Sequence, residues 1–300
     1  ARTLAAVAGT REAFDAVCGL CIPDPGQLAL LNDKAALAQL AQRLGIAVPQ
    51  SFSPELGESV AHFAARAPLP CVVKPLCGEA FGLAAAQRYV IARTPQALEE
   101  AYTRFFALTN SAPVVQEYLP GAALGCSILA QDGRVVASIA HRRVREYPVT
   151  GGPSSCCRVA DETPLLRAVC ALVRETGFSG VAMFEFKCGQ DGAPRLLECN
   201  PRVWGTYPLT RTAGTNFSYL WCCAALGEPL PDYIRPRPVK MTYQPADLAA
   251  GLGYLARGKI ARALGVLGSL LDPRVKNGLF EWRDAAPGLR YFAGLFRRAR

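Results

Sequence analysis

Histidine is nearly absent from this 300-residue chain, which holds only His62 and His141, and methionine is as scarce, at two. A histidine-rich metal centre is therefore excluded. A zinc ribbon is no better supported, because the single C-x-x-C, Cys18 to Cys21, has no second pair at ribbon spacing. Long apolar runs are lacking too. The longest stretch without a charge, Thr212 to Gly227, has 16 residues and includes Asn, Ser and two Gly, whereas a bilayer span needs roughly 20 predominantly apolar residues. No initiator methionine opens the chain, and no apolar run there leads to a small-residue cleavage site. No signal peptide is expected, and the cytoplasm is the expected compartment. Lysine makes up only 6 of the 33 basic residues, which reads as genome composition. No internal repeat or low-complexity tract is found.

What is present is enough for a large core. Hydrophobic residues make up 51% and charged residues 19%, which excludes general disorder. At roughly 150 residues per domain the length suggests two domains or one large α/β unit. The 12 cysteines include the adjacent pairs Cys156-Cys157 and Cys222-Cys223. Neighbours rarely bridge each other, so buried thiols in a reducing cytosol are expected. The net charge of +9 is unevenly placed. Residues 1–234 carry 20 basic and 20 acidic residues, while residues 235–300 carry 13 basic and 4 acidic.

The pattern predicts a helix from Asn32-Asp33-Lys34, with Asn32 or Asp33 as cap and Leu37, Leu40, Ala41 and Leu44 at helical spacing. A second helix fits roughly Pro54 to Ala67. The β-branched run Cys71-Val72-Val73-Lys74 before Pro75 reads as a strand, followed by a loop carrying Gly78 and Gly82. Then come a strand (Tyr89 to Ala92), a helix (Pro95 to Phe106) and a strand (Val114 to Tyr118). Beyond Gly121, Gly125 to Gln131 and Val135 to His141 flank Asp132-Gly133 as a hairpin. A helix (Thr163 to Thr176) precedes strands Gly180 to Cys188 and Arg195 to Asn200, joined by a turn at Gly189-Gln190-Asp191-Gly192. A helix from Asn216 to Leu226 follows. The prolines from Pro229 to Pro238 read as a boundary before a basic stretch with helical periodicity.

The last hairpin carries the chemistry. Strand side chains alternate, so Glu198 and Asn200 share one face, and Glu185 on the preceding strand falls opposite Glu198 within a residue of register. Unpaired, those carboxylates would repel each other. A hard divalent cation relieves this, and oxygen-only ligands favour Mg²⁺. The alternative is a solvated face on which Glu185 and Glu198 pair with Arg195 or Lys187. Lys74, at a strand end before a glycine loop, is placed to reach a phosphate, and Gln116-Glu117-Tyr118-Leu119-Pro120-Gly121 ends a strand at the junction of two subdomains.

Taken together, Asn32-Asp33-Lys34, Val72-Val73-Lys74-Pro75, Gln116 to Gly121, Phe184-Glu185-Phe186 and Glu198-Cys199-Asn200-Pro201-Arg202 resemble the ATP-grasp superfamily of ATP-dependent carboxylate ligases. The likeness covers about residues 30–228. The run from His141-Arg142-Arg143 to Ser154-Ser155 resembles a subgroup related to carbamoyl-phosphate synthase and biotin carboxylase modules. The implied fold is α+β, two subdomains gripping ATP, with a truncated N-terminal α/β domain and a C-terminal helical extension. The expected divisions are a remnant of the preceding domain (1–31), connecting helices (32–69), a small subdomain (70–120), a large one with the metal site (121–234) and the basic extension (235–300).

The resemblance also implies roles. Lys34 and Lys74 would hold ATP phosphates under a loop containing Gly78 and Gly82. Gln116, Glu117, Tyr118 and Leu119 would form the adenine hinge, with Glu117 and Leu119 presenting backbone groups. Glu185, Glu198 and Asn200 would hold one or two Mg²⁺ ions, with Mn²⁺ as an alternative. Arg202 would stabilise charge on the transferred phosphoryl group or the substrate carboxylate, and Arg142 and Arg143 would serve the substrate side. Two departures stand out. Ala122, Ala123 and Leu124 occupy the region where many members place a ribose-binding Glu, and only 31 residues precede the Asn-Asp-Lys helix. A removed domain or a partner chain is then expected to complete the cleft. The implied activity is ADP-forming ligation of a carboxylate to an amine or similar nucleophile. The alternative is a non-catalytic nucleotide-binding scaffold. For the basic C-terminal stretch a helical cap is expected, with an anionic surface as the second reading; no nucleic-acid motif stands beside it.

Overall fold

The computed structural model describes residues 2–75, 81–83, 87–161, 163–232, 234–281 and 284–298, without the side chains of residues 2, 292 and 294–298. Gly78 therefore lies outside the described residues. The chain opens with helices α1 (Arg2–Gly9), α2 (Arg11–Asp15), α3 (Pro25–Asn32) and α4 (Lys34–Arg43). They are followed by β1 (Ser51–Phe52), α5 (Val60–Arg66), β2 (Cys71–Lys74), β3 (Val90–Ala92), α6 (Pro95–Thr109) and β4 (Val114–Glu117). Long strands come next: β5 (Ala123–Gln131), β6 (Arg134–Glu146) and β7 (Ser154–Val159). After α7 (Thr163–Thr176) come β8 (Gly180–Cys188) and β9 (Pro194–Asn200), then α8 (Pro208–Thr212) and α9 (Phe217–Leu226). The remainder is β10 (Lys240–Thr242), α10 (Ala246–Leu255), α11 (Ile260–Leu271), β11 (Lys276–Asn277) and α12 (Ala286–Arg298).

Two compact units result. One comprises Pro25–Leu124 and Phe184–Pro201. Its four-stranded sheet has the order β1-β4-β2-β3. Cys71 and Val73 point from β2 into a core with Phe63, Leu98 and Phe105 from α5 and α6. Alternation turns Val72 and Lys74 to the other face, where both are only half-buried. Helix α5 begins at Val60, capped by Ser59, rather than at Pro54 as its sequence suggests. The β8–β9 hairpin also belongs here, closed by Gly189 and Gly192 hydrogen bonds.

The other unit comprises Ala1–Asp24, Gly125–Met183 and Arg202–Arg300. The seven-stranded sheet of the chain has the order β11-β10-β7-β6-β5-β8-β9, and its strands from β11 to β6 lie in this unit. Val136, Ile139, Met183 and Met241 meet Trp204, Leu209, Phe217 and Leu220 in its core. Strand β6 runs five residues past the expected end at His141 because β7, which the sequence did not announce, pairs with it through Glu146↔Ser154. The basic C-terminal stretch contributes strands as well as helices: β10 pairs with β7, placing Met241 opposite Cys157. Among the described residues no helix is long and apolar enough to cross a membrane.

Candidate active site

Asp33 supplies the α4 cap, its carboxylate accepting from the Ala35 and Ala36 amides at 2.8 and 2.9 Å. That cap starts the helix at Lys34 and fixes the direction in which this lysine leaves it. The chain after α4 is tied to β9 by the Leu196 amide donating to Ala47 O. Lys34 Nζ then meets Glu198 Oε2 at 2.9 Å. Asn200, on the same face of β9, donates its amide to Glu198 Oε1 at 3.4 Å. Lys74, from the open face of β2, comes within electrostatic reach of Lys34, Glu198 and Glu185. Four elements thus bring two ammoniums, two carboxylates and an amide together.

The electrostatics are reciprocal. Burial pushes the Lys74 ammonium down to about 8, the Lys34 charge pushes it further the same way, and Glu198 and Glu185 only partly offset them. Burial works to raise Glu198. The charge and hydrogen bond of Lys34, with help from Lys74 and Asn200, outweigh it and hold the carboxyl below its ordinary value. The expected repulsion between unpaired carboxylates is therefore relieved by lysines. The alternative pairing with Arg195 is not found, since that guanidinium is held by Asp191 at 3.0 Å and Glu117 at 3.7 Å. Lys187 stands over the Tyr118 ring, 5.4 Å from its centroid.

The hinge is tied to both of its neighbours. Gln116 is buried and donates to Ser51 Oγ at 3.4 Å. The Glu117 amide donates to Gln50 O at 2.8 Å, and its carboxylate accepts from the Gln50 amide. Of the two hinge positions expected to face adenine, Glu117 therefore has its N–H engaged by Gln50, just before β1. Tyr118 lies between Lys187 and Arg93, and Leu119 is buried. Gly121 zips the hinge to β8: its amide donates to Cys188 O, and the Cys188 amide donates to Ala122 O. A Cβ at Gly121 would stand 2.5 Å from that Cys188 oxygen, so only glycine fits. Gly82 takes a positive φ of 66° in open space.

The expected arginines lie in the other unit. Arg202 donates to Val203 O. Arg142 and Arg143 are adjacent on β6 and so point to opposite faces. Arg143 reaches Glu146 at 3.5 Å and Gly152 O at 3.4 Å, whereas exposed Arg142 stands in register with Arg158. His141 shares the Arg143 face. It is buried, hydrogen-bonded to Thr206 Oγ1 at 3.2 Å, and held neutral at a pKa of about 4 by burial and the Arg143 charge. Sequence reasoning overlooked Arg145, whose guanidinium grips buried Asp247 through two bonds of 2.6 and 2.8 Å.

As a cation site the cluster offers oxygen donors alone, from Glu185, Glu198 and Asn200. Among the described residues no group of three or more His, Cys, Asp or Glu forms an all-protein metal cage. Two carboxylates and an amide suit Mg²⁺, which keeps waters and is commonly shared with substrate phosphates. The donor set fits.

Residues 110–246 match the model of a family described as ATP-grasp in the biosynthetic pathway with Ter operon. Over those residues the chain is similar to ATP-grasp proteins. It is 30% identical over 164 residues to carnosine synthase 1 of Gallus gallus, covering 52% of this chain and 18% of that protein. The biotin carboxylase domain of Hydrogenobacter thermophilus 2-oxoglutarate carboxylase, solved with MgADP and bicarbonate, superposes with a TM-score of 0.58 at 17% identity. The match covers 73% of this chain and 51% of that one. The L-amino acid ligase of Bacillus licheniformis gives 0.52 at 20% identity, covering 72% and 54%. The chain thus spans about half of each solved relative and a fifth or less of the curated one.

Proposed function

We propose that this chain is the ATP-binding module of an ADP-forming carboxylate–amine ligase. The observation that carries the reading is the cluster of Lys34, Lys74, Glu185, Glu198 and Asn200. Its charges balance one another in the free protein. A triphosphate with its Mg²⁺ lets each group exchange partners without leaving an uncompensated charge: the ammoniums turn to the phosphates, and Glu185, Glu198 and Asn200 face the metal. The likeness to proteins named as an L-amino acid ligase and a carnosine synthase supports a ligase reading.

In this reaction a substrate carboxylate oxygen attacks the γ-phosphorus. The bond to the β–γ bridging oxygen breaks and ADP leaves with the electron pair. An amine then attacks the acylphosphate carbonyl. The carbon–nitrogen bond forms, the carbon–oxygen bond to phosphate breaks, and a proton is released to solvent. Lys34 and Lys74 hold the phosphates in line, and the hinge from Gln116 to Leu119 takes the adenine. Gly82, and Gly78 outside the described residues, belong to the covering loop. Arg202 meets charge on the phosphoryl group, with Arg143 and Arg142 toward the substrates. Bound Mg²⁺, or Mn²⁺ in its place, supplies charge neutralisation across the phosphates. The residues from 70 to 120 act as the smaller grip and those from 121 to 234 as the larger. Parts present in the longer relatives, or a partner chain, complete the substrate side. A reducing cytosol is the compartment this reading favours, and the free thiols of the described cysteines support it.

Calorimetry with a non-hydrolysable ATP analogue tests the site, and ADP release with pooled carboxylates and amines tests the reaction. Affinity should depend on Mg²⁺, and Lys74→Ala should cost about 1.5–3 kcal/mol. Equal affinity with and without Mg²⁺ would count decisively against this site.

A further inference from the structure

Helices α10 and α11 leave leucine in solvent. Inward they are well made: Ala250 and Tyr254 pack with Ala263 and Val149, and Gly251 lets the helices approach until its Cβ position is 3.5 Å from Val266. Outward, α10 shows Leu248, Leu252 and Leu255, and α11 shows Ile260, Leu264, Leu267 and Leu271, from 40% exposed at Leu248 to 80% at Leu271. The spacings of four and three residues put each set on one stripe of its helix. Contiguous exposed apolar surface of this kind marks an interaction site.

The surroundings are cationic. Arg257 and Lys259 occupy the turn between the helices, and Arg262 follows, stacked 5.5 Å from the Tyr254 ring centroid. The acids of this stretch are engaged, Asp247 with Arg145 and Asp272 with Arg274. Lys240 reaches Ser269 of α11 at 2.6 Å and stands in register with exposed Arg158, which in turn stands opposite Arg142. The sheet face beside the helices therefore carries three more cations in a row.

We propose that the α10–α11 surface docks on an anionic phospholipid bilayer. Leucine and isoleucine side chains enter the boundary between headgroups and acyl chains, while Arg257, Lys259 and Arg262 meet the anionic headgroups. Charge complementarity selects this occupant. A second copy placed symmetrically on the same patch would bring each cation against its counterpart, which is repulsive.

The test is sedimentation of the whole chain with vesicles of phosphatidylserine in phosphatidylcholine, or of phosphatidylcholine alone, at low and high salt. Binding is expected to the anionic vesicles, to weaken with salt, and to be lost on phosphatidylcholine. Leu264→Ser/Leu267→Ser/Leu271→Ser should abolish it, and Arg257→Glu/Lys259→Glu should reduce it more than twentyfold. Thermal melting and nucleotide-analogue affinity should be unchanged in both variants. The charge variant alters only exposed side chains, so it remains informative if the leucine variant misfolds. No sedimentation with anionic vesicles, or undiminished binding by the charge variant, overturns the proposal. So does a wild-type dimer that the leucine variant dissociates, which would assign the face to a second copy.

Discussion

Lys74 gives nucleotide binding a pH dependence that can be worked out in advance. Its ammonium is held at about 8 by burial and by Lys34, against an ordinary value of 10.5. About a tenth of Lys74 is then neutral at pH 7, half at pH 8 and nine tenths at pH 9. A phosphate favours the charged form, so apparent affinity scales with the charged fraction. Affinity for an ATP analogue should fall roughly tenfold per pH unit above 8, or about thirtyfold between pH 7 and 9.5. The nucleotide's own phosphates are already ionised in this range. Binding at pH 8 should take up about half a proton, which calorimetry in buffers of different ionisation heat reads directly. Lys74→Arg should flatten the profile, because a guanidinium does not titrate here. A flat wild-type profile, or an equal slope in the arginine variant, refutes the reasoning. The sign for stability follows too. Between pH 8 and 10.5 the unfolded chain binds the proton that the fold has lost, so Lys74's contribution to stability rises with pH across that window.

Other perturbations separate structure from chemistry. Glu198→Gln should lower ADP-forming turnover by orders of magnitude while costing under about 1 kcal/mol in a melt, because the lost pair with Lys34 is partly exposed; wild-type turnover would remove the metal role. Asp247→Ala should cost about 3–5 kcal/mol in urea titrations by stranding Arg145 in the core. The double replacement Arg145→Met/Asp247→Leu should recover most of that loss; failure to recover it would mean the ion pair is not the cause. Gly121→Ala should destabilise by about 1–3 kcal/mol, since its methyl meets the Cys188 carbonyl, and should weaken analogue binding through the hinge. Unchanged affinity in that variant would separate the hinge from the nucleotide.

Much of this was legible in the residues because it is local. Strand alternation puts Glu198 and Asn200 on one face, and they are found hydrogen-bonded to each other. The helix start at Asn32-Asp33-Lys34 is set by a side chain two residues from the amides it caps. Strand β7 escaped notice because Ser154–Val159 pairs two ways, with β6 and β10, and its alternation is blurred by a bulge beside Arg145. Pro54 fits a first helical turn, but α5 starts at Val60 because the Ser59 side chain accepts from the His62 amide.

The sequence by itself singled out the residues on which the proposed function rests: two lysines, two glutamates and an asparagine, in an order that resembles the ATP-grasp pattern. It also settled the cationic, amphipathic character of the last 66 residues. Only the tertiary structure decided who pairs with whom. Lys34 and Glu198 lie 164 positions apart and Arg145 and Asp247 lie 102 apart. The competing partner Arg195 was drawn off by Asp191, four residues away, and by Glu117. Charge type is a property of the residue, but pairing depends on which groups the packed core holds within about 4 Å, where burial makes the attraction strong enough to choose one partner over another.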